Sequence, residues 1–442
     1  MLVMAIVGRK TADWPYVAIF YTAAVALCVA VASVRIVSCW LLGSFVWLGT
    51  WLKFVEHIYI PGVIVEATGK FSRSTAQYNE VCVVAAVGLF GIAAAIFAFS
   101  LVKWARSSKY QTISRKTASK GVVEWSLALL LLIIAAILNA FIGINRAGLS
   151  PDHILPIKLN GAVSEFLIVG YFFAFAFVWS RESRSVRSYL TAIGVISIAN
   201  AISSISILSR GAIVFSQIAV IVAIWKCSKH LGRKRIALTA IATVLSLIFI
   251  VFTTYIVNDQ RAAKFSGEDV KVSFVGNLSV IAQLSSARWI GLEGIMTAVG
   301  ADNKSVELLW KLMTERPSLT ATGLYQYIAR SPYISIDRSK YQFATLPGPI
   351  GVFALGGSLP LVFILVGSLS ALAFLAEWIT DRTTQNCFAS SFVGVSAANT
   401  VAQFGVVPDN LLPYFLAFAL CIGVLSVFSR GGQGQSFPEF RT

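Results

Sequence analysis

Charge is the scarcest commodity in this sequence. Only 13% of the 442 residues are Asp, Glu, Lys or Arg, whereas 57% are hydrophobic and the mean hydropathy is +0.77. A water-soluble fold leaves about half or more of its surface facing solvent, and so apolar a chain cannot cover that area with polar groups. Histidine occurs only as His57, His153 and His230, with none between 257 and 345. The six cysteines (Cys28, Cys39, Cys82, Cys227, Cys387 and Cys421) lie in or beside apolar runs and form no C-x-x-C pair. They are expected to be small buried hydrophobes, not a disulfide framework or a zinc site. No G-x-x-x-x-G-K-S/T loop is present, which argues against ATP hydrolysis, and neither H-E-x-x-H nor G-x-S-x-G occurs. Internal repeats and low-complexity tracts are also missing.

Long apolar runs fill the space that charge leaves. About eleven are legible, near 14–34, 36–58, 81–102, 122–143, 161–180, 188–207, 211–226, 236–256, 350–378, 388–407 and 410–428. Runs of about 20 residues match a hydrocarbon core of about 30 Å. Backbone polar groups in lipid must be satisfied internally, so these spans read as helices; alternating segments of about ten residues, the mark of a β-barrel, are not found. The first run starts near Trp14 without a cleavage-like end and reads as a retained helix. The expected fold is all-α: a polytopic transmembrane helical bundle with one large helical periplasmic loop. Its divisions are an N-terminal membrane bundle (1–256), the loop (257–345) and a C-terminal membrane bundle (346–442).

The net charge of +16 comes from 36 basic and 20 acidic residues. Segments 103–120, 181–187 and 226–235 are rich in Lys and Arg, which places all three at the cytoplasmic face. Aromatics among these basic residues are few, Trp104 and Tyr110, so nucleic acid is not an expected partner. Three spans then precede residue 103, putting the N-terminus outside despite Arg9 and Lys10. Either that short tail crosses the membrane or the first three spans are miscounted. Segment 257–345 falls on the outer side and is too long for a passive connection. Within it Val306, Leu309, Trp310 and Met313 recur at helical spacing, with Lys304, Glu307 and Lys311 between them. This predicts an amphipathic helix resting on the membrane surface or the bundle. A second helix is expected over 272–299, with Phe274, Leu278, Ile281 and Leu284 on one face.

Several constellations carry chemistry. Ser209-Arg210-Gly211 opens the seventh span, where a guanidinium clamps phosphate or simply snorkels to anchor a helix end. Arg288-Trp289-Ile290-Gly291-Leu292-Glu293-Gly294 lies in the outer segment; Trp289 either stacks on a sugar or is an ordinary interfacial anchor. Lys53, Glu56 and His57 end the second span, followed by Glu66-Ala67-Thr68-Gly69-Lys70-Phe71; the bland alternative is local pairing of Lys53 with Glu56 or His57. Arg146, Asp152, His153 and Glu165 form a fourth outer-side group, readable as a solvated loop or as the source of a general base. Leu346-Pro347-Gly348-Pro349-Ile350-Gly351 runs into Leu355-Gly356-Gly357 and suggests a broken or closely packed helix.

Taken together, Leu-Ser-Arg-Gly-Ala at 208–212, the 288–294 motif, the 346–357 motif and the stretches 51–57 and 65–71 resemble the bacterial O-antigen and oligosaccharide repeat-unit polymerase family. The likeness of architecture covers nearly the whole chain, whereas the motifs are short. The resemblance implies a metal-independent, cofactor-free glycosyltransferase in the bacterial inner (cytoplasmic) membrane. Its substrate would be an undecaprenyl-pyrophosphate-linked oligosaccharide, amid membrane lipids, with a chain-length regulator and a flippase as neighbours. It implies catalytic roles for Arg210, Arg288 and Glu293, and substrate contacts from Glu66, Arg146, Glu165, Trp289, Arg261 and Arg338. The rival O-antigen ligases typically carry a histidine in the large outer loop, and this loop has none. A flippase or transporter would show two related halves with midplane sites. A transferase with a metal-binding acidic pair in its first outer loop is disfavoured, since 59–80 holds only Glu66 and Glu80.

Overall fold

In a computed structural model, the structure describes residues 11–34, 36–60, 62–104, 121–153, 159–182, 184–266, 276, 289–315, 322–343, 345–403, 416 and 418–426. Among them the fold is all-α. Helices α1 (Trp14–Ser33), α2 (Val37–Tyr59), α3 (Thr75–Trp104), α4 (Gly121–Ile142), α5 (Asn160–Arg181), α6 (Val186–Ser206), α7 (Arg210–Cys227) and α8 (Lys234–Ser266) follow one another in the first part. Then come α9 (Leu292–Val299), α10 (Val306–Met313), α11 (Leu324–Ala329), α12 (Gly348–Ala354), α13 (Leu359–Thr384) and α14 (Cys387–Ala402). Nine of the described helices are long and apolar enough to cross a membrane, so this is a multi-pass membrane protein. They coincide with the first nine predicted spans. The tenth is the 16-residue α14, and only 416 and 418–426 of the eleventh are described.

The largest departures from the hydropathy reading are two. Helix α8 continues ten residues past 256, because Asn258, Asp259, Arg261 and Lys264 end its apolar run without ending the helix. Its last turns lie at the bundle end opposite the basic 226–235 loop. The run over 350–378 is two helices broken at Leu355–Ser358. Gly357 adopts φ +77, which side chains resist, and the freed Leu355 carbonyl accepts from Ser305 N–H at 3.0 Å. The start of α10 is therefore docked on the break. In α10 itself Leu309 and Leu312 face the core, while Val306 and Trp310 are 63% and 69% exposed. The predicted four-residue stripe is thus split between a packed seam and a free flank. The face expected from Phe274 to Leu284 lies outside the described residues, while the 292–299 part of that stretch is helix α9.

Three separate helices precede the basic loop after α3, so the first three spans are correctly counted. Asp13 N–H donates to Asn79 Oδ1 (2.8 Å) and Asn79 Nδ2 to Asp13 Oδ2 (2.6 Å), placing the start of α1 beside the start of α3. By the charge rule that end is the outer one.

The core falls into two clusters. One joins α1, α2 and α3 to α9, α10, α11, α12, α13 and the second half of α14; the other joins α4 to α8 with the first half of α14 and the 418–426 segment. Packing within the second is stitched by interhelical polar groups, as expected where lipid supplies no hydrophobic contrast. Asn139 Nδ2 donates to Asn145 O and Ser206 O, and Gln217 Oε1 accepts from Ser197 and Ser246. At the bundle end that carries the basic 226–235 loop, Glu377 accepts from Val37 N–H (3.1 Å), Ser38 N–H (2.6 Å) and Lys226 Nζ (2.6 Å). A carboxylate here caps the N-terminus of α2 from a different helix. Beside it the Cys227 and Cys387 sulfurs come within disulfide reach of each other, with Cα atoms 5.8 Å apart. This corrects the expectation of isolated buried cysteines. The partners are 160 residues apart, so no local spacing announces them.

Candidate functional site

The site begins with a flaw in α2. At Leu48–Leu52 the helix loosens into a π-turn, a feature common where helices serve function. Gly49 in this turn lets the Ile290 peptide come so close that a Cβ would meet its carbonyl oxygen at 2.2 Å. One turn on, Lys53 is 1% exposed and forms an ion pair with Glu293, itself 2% exposed; Lys53 Nζ also donates to Trp289 O at 2.9 Å. Burial pushes the Glu293 carboxyl above the ordinary carboxylate range, opposed by the nearby ammonium. Gly291 (φ +154) makes the bend between Trp289 and α9, and Gly294 faces Pro347 with no room for a side chain. The second-span, 288–294 and 346–357 motifs thus meet at one place.

The 66–71 segment lies against the same helix. Thr297 donates to Ala67 O (3.2 Å), and Gly69 N–H donates to Ala329 O (3.0 Å). Glu66 is half-buried, and its charge is felt by Glu293 and by Tyr325. The Tyr325 hydroxyl is held above its ordinary range, first by burial and then by these two carboxylates. Lysine 53 therefore does not pair with Glu56 or His57 but reaches a residue the sequence places in another segment.

A second, cationic group is assembled from four distant segments. Ser209 caps α7 by accepting from Ala212 N–H (3.2 Å), and Arg210 donates to Asn258 Oδ1 (3.1 Å). Arg261, in the extension of α8, donates to Ala147 O (2.7 Å) and Leu208 O (3.0 Å). Arg146 binds Asp152 (2.6 Å) and Ala140 O (2.7 Å). Ser150 donates to Arg338 O (2.7 Å), bringing the 338–343 strip alongside. Ser164, beside Glu165, accepts from Asn145, beside Arg146 (2.6 Å). An aromatic relay links the two groups: Phe45 lies 5.5 Å from Trp289 and 5.4 Å from Phe215, one turn along α7 from Arg210.

Glu66, Trp289 and Glu293 are thus in one group and Arg146, Arg210 and Arg261 in the other; Arg338 reaches the second through its backbone carbonyl, and Glu165 only through its neighbour Ser164. Arg288 lies outside the described residues, immediately before Trp289. Sequence reasoning missed Phe45, Asn258 and Tyr325. None has a local signature; each matters through what the fold sets beside it. Chemically, the arrangement offers guanidiniums to an anion, and a half-buried carboxylate to a hydroxyl. No protein-family model matches this sequence, and neither does a curated protein or a solved structure.

Proposed function

We propose that this chain is a glycan polymerase that joins undecaprenyl-pyrophosphate-linked repeat units into O-antigen, capsule or exopolysaccharide at the outer leaflet of the bacterial inner membrane. The observation that carries this reading is the gathering of Arg146, Arg210 and Arg261 from separate segments at the bundle end opposite the basic loops. The resemblance of the motifs to repeat-unit polymerases supports it. In the reaction the acceptor hydroxyl oxygen bonds to the anomeric carbon of the donor. The bond from that carbon to the pyrophosphate oxygen breaks, and undecaprenyl pyrophosphate leaves. Arg210 and Arg288 bind the pyrophosphate and stabilise its growing charge. Arg146, Arg261 and Arg338 extend the anion-attracting surface, and Trp289 offers a ring to a sugar face.

The carboxylate roles follow accessibility. Glu293 is sealed against Lys53, so it holds the 288–294 turn in place. Glu66 is the better base: it is half-buried beside that turn and takes the hydroxyl proton. Glu165 serves the acceptor side. The exposed flank of α10, Val306 and Trp310, supports an entrance for the lipid carrier there.

The test is polymer length on a gel from strains carrying Arg210→Ala, Arg288→Ala or Glu66→Gln at equal protein level. Loss of the ladder, with single repeat units left on the acceptor, is expected. Normal ladders in both arginine variants overturn the reading. Finished polymer stranded on the carrier lipid would make the protein a ligase, and units stranded at the inner face a flippase.

A further inference from the structure

Tyr325 carries a hydroxyl that the fold leaves unanswered. The side chain is 4% exposed and packs into the core that joins α9 to α1, α2 and α3. Its oxygen is out of solvent and has no hydrogen-bond partner among the described residues. A buried tyrosine ordinarily finds one, because an unpaired hydroxyl bears its desolvation cost uncompensated. The Thr297 hydroxyl comes close without closing a bond, and donates to the Ala67 carbonyl (3.2 Å). The surrounding frame holds Tyr325 where it is. Leu324 N–H, at the start of α11, donates to Glu315 Oε1 (2.7 Å). Gln326 Nε2 donates to Thr345 O (3.2 Å), and Gln326 Oε1 accepts from Thr345 N–H (3.1 Å). Ala329 O accepts from Gly69 N–H (3.0 Å), so α11 also carries the 66–71 segment. A polar group kept unpaired by so many fixed contacts is the kind of cost that gathers at functional sites.

The charged groups that face this hydroxyl are Glu293 of α9, Glu66 of the 66–71 segment and, through Glu293, Lys53 of α2. Burial first, and then the two carboxylates, hold the proton on the phenol, so the group is a donor. Glu293 is already engaged by Lys53, and Glu66 is the half-buried carboxylate left to receive it. We propose that Tyr325 is a positioning residue for Glu66: when the glycan acceptor enters, the Glu66 carboxylate turns inward, one oxygen accepts from the Tyr325 hydroxyl and the other faces the acceptor hydroxyl. The phenol keeps its proton throughout; the proton that moves is the acceptor's, onto the second Glu66 oxygen. A donor on the first oxygen favours the ionised carboxylate, so Glu66 remains a base to lower pH. This inference rests on the polymerase reading, in which Glu66 is the base.

The experiment uses the whole chain reconstituted in vesicles, with lipid-linked repeat units extracted from a strain lacking the gene, and follows polymer formed against pH. Tyr325→Phe should polymerise about ten-fold or more slowly, the worth of one hydrogen bond to a charged group. Its acid limb should move to higher pH by about one unit, because Glu66 has lost a donor that favours its ionised form. Its melting temperature in detergent should equal or exceed that of wild type, since the hydroxyl removed has no partner in the fold. A tyrosine with only a structural role would lower the rate and leave the acid limb where it was. That outcome, or a melting temperature well below wild type, overturns the proposal. Polymer at the wild-type rate in either Glu66→Gln or Tyr325→Phe, while Arg210→Ala and Arg288→Ala have lost it, overturns this inference alone. Normal polymer in both arginine variants overturns the polymerase reading and this inference with it.

Discussion

Lys53 and Glu293 form a buried ion pair between the second membrane helix and a short helix of the outer segment, and the same ammonium holds the Trp289 carbonyl. Both charges are out of water, so their mutual attraction and hydrogen bonds must offset a desolvation cost of several kcal/mol per ion. Such a pair is a sensitive point in the fold: each partner is tolerable only because the other is there.

The first prediction concerns breaking it. Lys53→Met leaves a buried carboxylate without its counter-charge and should destabilise by about 3–5 kcal/mol, as is typical when one half of a buried pair is removed. The double change Lys53→Met with Glu293→Leu removes both charges and should recover most of that loss. Thermal unfolding in detergent measures both. Equal melting of the single and double variants would show that the pair is not closed off from water.

The pH dependence follows from the raised Glu293 pKa. A carboxyl whose folded pKa lies above its unfolded value of about 4.3 contributes stability that is complete below that value. The contribution is lost as pH rises through the folded pKa. Melting temperature should therefore carry a falling component as pH climbs above the ordinary carboxylate range. Glu293→Gln, which cannot titrate, should lack that component. A wild-type and variant pair with parallel pH profiles contradicts the assignment.

Close backbone packing makes a third prediction. A Cβ on Gly294 would sit 1.7 Å from the Pro347 carbonyl oxygen, and one on Gly351 would sit 2.5 Å from the Gly294 carbonyl carbon. Gly294→Ala should cost at least the 1–3 kcal/mol or so typical of overpacking and reduce the yield of monodisperse protein. Gly194→Ala, with open space around it, should behave as wild type. Size-exclusion profiles at matched expression give the comparison.

The cysteine pair reports orientation. Positive loops place Cys227 and Cys387 at the cytoplasmic end, where glutathione keeps thiols reduced. In cells the two should therefore be alkylated as thiols, and in isolated membranes they should close into an intramolecular bridge on mild oxidation. Mass-tag alkylation followed by gel shift distinguishes the states. A bridge already formed in intact cells would reverse the orientation assigned here.

Much of the fold is legible along the chain because lipid imposes a local rule. A helix that spans must be apolar over about 20 residues, and Trp14–Ser33 or Leu359–Thr384 declares itself without reference to any partner. Where the rule changes, the reading slips. Helix α8 outlasts its apolar run, since helix formation above the lipid needs only residues such as Gln260, Ala262 and Ala263. The break at Gly357 is invisible to hydropathy because it changes backbone conformation without adding charge.

The buried pair with which this discussion began shows the division most clearly. By itself the sequence determined that Lys53 lies near the end of a membrane helix and that Glu293 stands between Gly291 and Gly294 in the long segment after α8. It also marked where nine helices would be apolar enough to span, and its basic loops predict which end faces the cytoplasm. Only the tertiary structure decided that Lys53 would meet Glu293 and not Glu56, or that Arg146, Arg210 and Arg261 would share one end. The reason is physical. Crossing lipid is a property of one helix and its solvent, but pairing depends on which helices are neighbours. That is settled by close contacts such as Gly49 against Ile290 and Gly294 against Pro347, which no single segment contains.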